Sequence, residues 1–583
     1  MNLQQGQMNL LDLVRKAYNG ECMLPDFQRN FVWTRYDIEE LIKSLLQGMF
    51  IGTFLILETN PQSVPFKVIF VEGAEKVNPQ ICEQPKILIL DGQQRLTSLF
   101  YAIYSPDIPL RNSENPYAFF IDLEKLAVDN IDEAVFSWSK KWREFKEIID
   151  ENGDYNFEVL KAKKILPLTV FKDIPEFYKL WFSEYKLLFE DKEANKIFTY
   201  IDNMIKYNIF TLSLGLSYND KPDEIAALFE KINRSGVKLS IYDLLVARFY
   251  KFIRLREKWE DVFENSVNIK KLAGRIDNTT VPYSFIQALA LAADKNISSR
   301  EMLRIDNKIL SDQSWAKVVD IAENKVLPYL LQVNNFGIVD FEKWLPYYPI
   351  VTMMIAFFLR FDHPDTDKIE KWYWSAVFSE RYSGSTETAM AKDFKEVCAW
   401  FNNNNLIPEV VEKLRSQLES NVYTLKEVRR KGSSKYIGIF NLLFKNGAKD
   451  FYYPENIAFN QLDDHHIFPV SFLKSRGVEV DFDSIMNRTL IFENTNRSIS
   501  RRSPGDYIRK MIEIQKSKGL SDQEAEQKVK EILKGHFIDE EMYLLLKNTT
   551  DNLTPSEIKE NFERFINKRE KLILNEIKRL IGN

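Results

Sequence analysis

The chain has 583 residues, of which 45% are hydrophobic and 28% are charged, a composition typical of folded proteins. It excludes extended disorder and collagen-like or rod-like sequence as the main structure. At about 150 residues per domain, the length predicts several domains with separate cores. The formal net charge of −5 argues against a protein that coats nucleic acid non-specifically, because such binding needs clustered Lys and Arg.

The cysteines and the apolar segments indicate the cellular compartment. Cys22, Cys82 and Cys398 are far apart and form no CxxC pair, which predicts neither a disulfide framework nor a thiolate zinc site. The longest apolar run, 349–359, is much shorter than the roughly 20 residues that span a bilayer. The N-terminus lacks the pattern of a secretion signal. We therefore expect a cytoplasmic protein with no membrane partner.

The first 250 residues alternate between helix and strand patterns. Thr34 and Asp37 form a capping-box pattern before helically spaced apolar residues, which predicts a helix over 35–47. Strand patterns lie at 51–58, 66–72, 86–90 and 209–214. The third of them runs directly into DGQQRLTSLFYAIY, which predicts a turn followed by a helix. Together with a predicted helix at 240–250, these elements predict an α/β domain over 1–250.

The remaining chain is predicted to be mostly helical. Helical periodicity dominates 251–420, which indicates a helical linker or sensor region. Strand-like alternation returns from Lys431, and capped helix starts follow at Ser521 and Thr554. We assign 421–583 to a third domain. The predicted fold class is multidomain α+β and mostly helical.

Two of the four histidines, His465 and His466, are adjacent in the segment QLDDHHIFPVSFL. Neighbouring side chains on a strand point to opposite faces, so one ring can hold a metal while the other activates water. Imidazole supplies a base near neutral pH, and a hard cation such as Mg²⁺ stabilises charge on a phosphorane. A second strand is predicted from Asn487, and Asn496 is placed on a loop that leads into a helix. The alternative is a buried histidine pair with Asn496 as an N-cap.

This order of histidine, strand, asparagine and helix resembles the HNH, or ββα-metal, endonuclease motif. The resemblance implies that His465 is a metal ligand, His466 the general base and Asn496 a second ligand of Mg²⁺ or Mn²⁺. It gives Asn487 a structural role, bracing the loop that presents the base. Here the nuclease motif would be embedded in helices.

Charged residues surround the HNH-like motif. Many HNH nucleases have Asp at the position of His465, so Asp464 is an alternative ligand, or a partner that orients an imidazole. Arg497, Arg501 and Arg502 closely follow Asn496, and we predict that their guanidinium groups contact DNA phosphates.

The segment ILILDGQQRLTSLF places an acid at the end of a predicted strand and a polar cluster at the start of a helix. Gly92 permits close approach to the backbone, the free amides of the helix start attract phosphate, and Arg95 can pair with phosphate bidentately. Asp91 could bind a metal or a ribose hydroxyl. The alternative is a plain helix cap.

Three segments, in chain order 24–56, the DGQQR segment and 228–245, resemble the N-terminal domain of the GmrSD family of modification-dependent (type IV) restriction enzymes. The resemblance implies a ParB/sulfiredoxin-like domain that binds and hydrolyses a nucleoside triphosphate, followed by an HNH domain. The implied nucleotide site consists of Gln28, Arg29, Asp91, Gly92, Gln93, Gln94, Arg95 and Asn233. The chain has no GxxxxGK[ST] motif, so this site would not be of the P-loop type.

These features predict an antiphage DNA endonuclease of the GmrSD type. Its activity would be nucleotide-regulated and metal-dependent, and its substrate would be foreign, modified double-stranded DNA. Homo-oligomerisation stays open. Two alternatives are a nucleotide-controlled DNA-binding regulator with an inactive HNH fold and a host-directed DNA-nicking toxin.

Overall fold

The computed structural model of the chain describes residues 3–26, 31–62, 64–65, 67–111, 113–218, 224–225, 240–250, 252–274, 279–420, 422–456 and 459–582. The chain divides into two compact units, Met1–Leu255 and Arg256–Asn583. The second unit contains both the predicted helical region and the predicted nuclease domain, so the boundary at 420 stays a prediction. Within the described ranges, every helix is too short or too polar to span a lipid bilayer.

The first unit is built on a mixed sheet. Its strands are β1 (Gln4–Asn9), β2 (Cys22–Pro25), β3 (Thr53–Glu58), β4 (Val68–Ile69), β5 (Ile87–Asp91) and, after a second sheet, β9 (Asn208–Leu214). The strand order is β1-β9-β3-β5-β2-β4, in which β3 runs parallel to β9 and antiparallel to β5. The second sheet is antiparallel and has the order β7 (Val135–Ser139), β6 (Tyr117–Asp122), β8 (Ile165–Pro167).

Helices cover the mixed sheet and supply its core. The described helices of this unit are Leu10–Tyr18, Arg35–Leu46, Ala74–Val77, Gln93–Tyr104, Leu123–Ala127, Ile131–Ala134, Arg143–Lys146, Phe157–Ala162, Ile174–Leu180, Asp191–Ile205 and Ile241–Phe249. The central strand β5 has four consecutive buried residues, Ile87 to Leu90, as expected for a strand that is covered on both faces. Its position places the end of β5, where the DGQQR segment begins, at the centre of the sheet.

The capping pattern correctly predicted the helix Arg35–Leu46. The Thr34 amide donates to Asp37 Oδ2 at 2.7 Å, which closes the capping box. The strand predicted at 66–72 is wrong in extent, since β4 covers only Val68–Ile69. It pairs with β2 at Leu24 and Pro25, and Pro25 has no N–H with which to extend the ladder.

The second unit is mostly helical, as the sequence predicted. Its helices are Leu255–Asn265, which begins at the last residue of the first unit, Asn268–Ala273, Thr280–Ala292, Ser299–Met302, Asp312–Ile321, Leu327–Leu330, Val333–Phe336, Phe341–Trp344, Pro349–Arg360, Thr366–Phe378, Thr386–Asn402, Glu409–Glu419, Ser434–Lys445, Val470–Ser475, Glu493–Ile499, Pro504–Lys516, Asp522–Gly535, Glu540–Asn548 and Pro555–Ile581. We call the last of these the C-terminal helix. It packs against the helices Thr366–Phe378 and Glu409–Glu419, which joins the end of the chain to the middle region.

The two strands of this unit form one antiparallel hairpin. Strand β10 (Leu462–His466) pairs with β11 (Arg488–Phe492) from Leu462↔Phe492 to His466↔Arg488. The strand-like alternation predicted from Lys431 is wrong in extent: Ser434–Lys445 is a helix, and strands occur only at Leu462–His466 and Arg488–Phe492 among the described residues that follow. Ser433 caps it by accepting from the Tyr436 amide at 3.3 Å.

Candidate functional site

The histidine pair lies at the C-terminal end of β10, just before the chain leaves the hairpin. His465 is directly opposite Thr489 and His466 is opposite Arg488. The next residue, Ile467, donates its amide to the Asn487 carbonyl at 2.8 Å. Backbone pairing with 487–489 therefore fixes both histidines. Because successive side chains on a strand alternate, their rings leave the strand in opposite directions.

Asn487 braces the chain just after the histidines. Its side chain is fully buried; Oδ1 accepts from the Phe468 amide at 2.8 Å, and Nδ2 donates to the Phe468 carbonyl at 3.2 Å and the Phe482 carbonyl at 3.0 Å. One amide thus fixes two chain segments, 467–468 and 481–484. These bonds fix the backbone just after the histidines, while the role of Asn487 in an HNH site stays a prediction.

His466 contacts a carboxylate that the sequence analysis did not identify. Its Nε2 lies 3.3 Å from Oδ1 of Asp483, and Arg488 donates to the same oxygen at 2.8 Å. Burial lowers the pKa of His466 and the charge of Arg488 lowers it further, while Asp483 opposes both effects. The imidazole is therefore neutral at neutral pH, as a general base must be.

His465 has a ring nitrogen with no partner. Its Nε2 is buried and makes no hydrogen bond. Burial lowers the pKa of this imidazole, against the opposing charges of Asp463 and Asp464. A neutral imidazole with an uncommitted nitrogen is the form that binds a metal, so the ring fits the predicted ligand role. Among the described residues, no cluster of three or more His, Cys, Asp or Glu side chains is arranged to hold a metal.

Asp464 is occupied by cations and a hydroxyl. Both its carboxylate oxygens accept from Arg488 Nη1, at 3.1 and 3.2 Å, and Lys431 Nζ lies 3.1 Å from Oδ2. The Tyr436 hydroxyl also donates to Oδ2. A metal would have to displace these partners, so the arrangement favours an orienting role for Asp464 over direct ligation.

Asn496 lies inside the helix Glu493–Ile499, which corrects its placement on a loop. This helix begins immediately after β11 and packs against β10, so the chain turns directly from strand to helix behind the histidines. The ligand role itself stays a prediction.

The three predicted phosphate contacts are exposed. Arg497, in the same helix, pairs with Glu493 at 2.5 Å, while Arg501 and Arg502 lie in the following turn. Ser500 starts that turn with φ 49°, and its carbonyl accepts from the Ser471 hydroxyl at 3.2 Å. A basic, solvent-accessible turn next to the hairpin suits contact with a phosphate backbone.

The DGQQR segment joins β5 to the helix Gln93–Tyr104. Asp91 is exposed at the strand end, and Gly92 has φ 103°; a Cβ there would lie 2.3 Å from the Phe54 ring, so only glycine fits. Gln94 is buried and accepts from the Val32 amide at 3.0 Å. Gln93 is half-buried at the helix start.

Arg95 is committed to the backbone. Nη1 donates to the Ile51 carbonyl at 2.7 Å, Nη2 donates to the Thr53 carbonyl at 2.9 Å, and Asp91 lies 3.6 Å away. Burial lowers the pKa of the guanidinium, and the charge of Asp91 opposes that shift. A phosphate would have to replace these carbonyls, so in this structure Arg95 fixes the start of β3. The remaining members of the predicted nucleotide site, Gln28, Arg29 and Asn233, lie outside the described residues.

Residues 10–250 match the family model described as GmrSD restriction endonuclease, N-terminal domain. Residues 10–250 therefore form a domain of the GmrSD N-terminal family. The uncharacterized protein MJ0686 of Methanocaldococcus jannaschii is 58% identical to it over 584 residues, which covers 100% of both chains. The family match confirms the N-terminal resemblance seen in the sequence, whereas the HNH resemblance stays a prediction.

The sequence did not point to two residues beside His466, Asp483 and Arg488. Arg488 could have been found, because a hairpin with His466 at one end places the residue after Asn487 directly across from it. Asp483 could not have been found in this way, because it lies in a turn whose position depends on contacts with distant segments. Both matter, since Arg488 connects Asp483 and Asp464 beside His466.

Proposed function

We propose that this chain is an antiphage DNA endonuclease of the GmrSD type that hydrolyses phosphodiester bonds in foreign, modified DNA. The single observation that carries the proposal is the histidine pair on β10. One imidazole is neutral and held by a carboxylate, and the other is neutral with an uncommitted nitrogen. A buried pair with a purely structural role would be expected to have all its polar atoms bonded.

In the proposed reaction, His466 accepts the proton of the attacking water. Asn487 holds the segment that carries His466, and Arg497, Arg501 and Arg502 bind neighbouring phosphates. His465 and Asn496 would hold Mg²⁺ or Mn²⁺. Such a cation would supply charge stabilisation for the phosphorane and the leaving oxygen.

The N-terminal domain is proposed to bind and hydrolyse a nucleoside triphosphate. Asp91, Gly92 and Gln93 surround the helix start at the centre of the sheet, and the positive end of a helix dipole attracts phosphate. Arg95 and Gln94 fix the position of this turn through their hydrogen bonds to Ile51, Thr53 and Val32. Gln28, Arg29 and Asn233 stay predicted contributors.

The test is cleavage of matched duplexes that are unmodified, glucosyl-hydroxymethylated at cytosine, or phosphorothioated. Each duplex is incubated with Mg²⁺ or Mn²⁺, with and without GTP, ATP and UTP, using the parent protein and His466→Ala. We expect cutting of a modified duplex that depends on both nucleotide and His466. The substitution removes the base without removing a core side chain, so the melting temperature should be unchanged.

Other outcomes separate the alternatives. Cleavage that ignores modification, combined with His466-dependent growth arrest in the absence of phage, would identify a host-directed nicking toxin. No cleavage of any duplex, combined with nucleotide-dependent DNA binding and no Mn²⁺ at His465 in a soaked crystal, would identify a regulator with an inactive HNH fold.

A further inference from the structure

We infer that Asp483 is the positioning residue for His466: it fixes the imidazole with Nε2 protonated, so that Nδ1 is the nitrogen that accepts the proton from water. The inference rests on the proposed nuclease function and names the part of the site that sets the geometry of the base. It starts from the 3.3 Å contact between His466 Nε2 and Asp483 Oδ1.

The turn that carries Asp483 is fixed on both sides. The Phe482 carbonyl accepts from the buried amide of Asn487 at 3.0 Å, and the Ser484 hydroxyl donates to the Lys426 carbonyl at 2.7 Å. Ile485 donates its amide to the Val428 carbonyl at 3.0 Å. The Asp483 side chain is 51% exposed, yet the hydrogen bonds of Phe482, Ser484 and Ile485 fix its backbone.

Arg488 holds the carboxylate against the histidine. It is cross-strand to His466, donates to Asp483 Oδ1 at 2.8 Å through Nη2, and is itself anchored by Asp464 through Nη1. This makes a fixed series from Asp464 through Arg488 to Asp483 and then to His466. A planar guanidinium with two carboxylates on separate nitrogens has little rotational freedom, so Asp483 is pre-organised before DNA binds.

The contact also decides the tautomer of His466. An ionised carboxylate only accepts hydrogen bonds, so Nε2 carries the hydrogen and donates it to Asp483. In the neutral ring, Nδ1 then holds the lone pair. During reaction the water proton moves to Nδ1 while the water oxygen bonds to phosphorus and the bond from phosphorus to the leaving oxygen breaks; the leaving oxygen takes a proton from solvent water. The resulting imidazolium charge is balanced by Asp483 beside Nε2.

The test compares Asp483→Asn, Asp483→Ala and Asp483→Glu with the parent, and uses Asp481→Asn as a matched control. Asp481 is in the same segment and pairs with Arg429, so its change alters charge nearby without touching His466. The readouts are the single-turnover cleavage rate at saturating duplex and the Kd for the same duplex.

We expect Asp483→Asn and Asp483→Ala to lower the cleavage rate about 10- to 100-fold with Kd unchanged, as for other groups that orient a functional imidazole. Asp483→Glu should restore part of the rate, and adding Asp483→Asn to His466→Ala should cause no further loss. A rate for Asp483→Asn equal to that of the parent would overturn the inference. An equal loss in Asp481→Asn would do so as well, because it would show a general effect of the turn.

A second measurement does not need cleavage. The chain has only four histidines, so nitrogen NMR of isotope-labelled histidine, assigned with His466→Ala, resolves each ring. We expect a single Nε2-protonated tautomer at His466 in the parent and a mixture in Asp483→Asn. An Nδ1-protonated ring in the parent contradicts the inference even if the protein cuts DNA. A parent that shows the expected tautomer but cuts no duplex removes the proposed function alone.

Discussion

His466 and His536 show, at the residue scale, how surroundings decide what an imidazole can do. The side chain of His466 is 23% exposed, and one ring nitrogen remains for chemistry. His536 is fully buried, with Nδ1 2.5 Å from the Thr489 hydroxyl and Nε2 2.7 Å from the Lys449 carbonyl. Burial lowers the pKa of His536 to about 3, although its bond to Lys449 opposes the shift. This ring is a structural element beside the β10–β11 hairpin and not a base.

The low pKa of His536 predicts a loss of stability in mild acid. Above about pH 6.5 the imidazole is neutral in both the folded and unfolded chain, so its contribution is complete. As the pH falls from about 6.5 towards 3, the unfolded chain binds a proton that the folded chain excludes. The free energy of unfolding of this region should therefore fall by about 1.4 kcal/mol between about pH 7.5 and 5.5.

The measurement is urea unfolding at both pH values, followed by peptide-resolved hydrogen exchange over 449–492 and 522–548. His536→Gln is the control, because it cannot titrate; its stability relative to the parent should be lower at pH 7.5 than at 5.5. Equal pH dependence in parent and variant would mean that His536 does not cause the effect.

Single residues also mark the limit of what the sequence predicts. The DGQQR pattern correctly indicated a strand, a tight turn at Gly92 and a helix. It did not indicate that Arg95 binds the carbonyls of Ile51 and Thr53, because composition does not distinguish a guanidinium that awaits phosphate from one that satisfies backbone. Asp483 was missed for a related reason, since its turn is placed by bonds to Lys426 and Val428, far away in sequence.

At the element scale, the C-terminal helix supports the hairpin. Its residue Arg569 is fully buried and donates to the carbonyls of Met486 at 2.7 Å, Arg488 at 2.6 Å and His536 at 3.1 Å. Burial lowers the pKa of this guanidinium to about 9. The adjacent Glu570 accepts from the Leu425 and Lys426 amides at 2.7 and 3.0 Å. One helical turn therefore fixes both the segment that follows the Asp483 turn and the segment 425–426, to which Ser484 of that turn bonds.

Arg569→Met should uncouple the hairpin from the C-terminal helix. The apolar side chain fills much of the volume, but three buried carbonyls lose their donor, at a cost of about 3 kcal/mol or more. We expect faster hydrogen exchange in 484–492 and reduced cleavage. The control is Arg564→Ala on the same helix, whose exposed pairing with Glu541 at 3.7 Å should contribute less than about 1 kcal/mol. Equal stability of the two variants would refute the supporting role.

Helix ends were predicted better than short strands. The capping boxes at Thr34, Ser521 and Thr554 are all present, because a cap is a local arrangement of a few neighbouring residues. The hairpin strand after Asn487 was also predicted correctly. The strands predicted at 66–72 and directly after Lys431 did not form as predicted. A strand forms only where another strand offers hydrogen bonds, and the sequence of one segment does not show whether such a partner is present.

At the scale of the whole molecule, the proposed function assigns two chemistries to the two units. The DGQQR turn belongs to Met1–Leu255 and the histidine pair to Arg256–Asn583. If nucleotide binding controls cleavage, a change at the histidine pair should remove cleavage and leave nucleotide hydrolysis, whereas a change at the DGQQR turn should remove hydrolysis and also the control of cleavage by nucleotide. Asp91 is the suitable position in the first unit, because its side chain is 54% exposed and its loss leaves both carbonyl bonds of Arg95 in place.

We therefore expect Asp91→Asn to abolish nucleotide hydrolysis and the nucleotide dependence of DNA cleavage, and His466→Ala to abolish cleavage while hydrolysis continues. Arg95→Ala should lose hydrolysis and also stability, because the Ile51 and Thr53 carbonyls lose their donor.

Glu58→Gln, at the far end of β3, is the matched control. Phosphate release and duplex cleavage are measured on the same samples. Normal hydrolysis by Asp91→Asn and Arg95→Ala would place the nucleotide site elsewhere, and loss of hydrolysis in His466→Ala would show that the two chemistries are not separable.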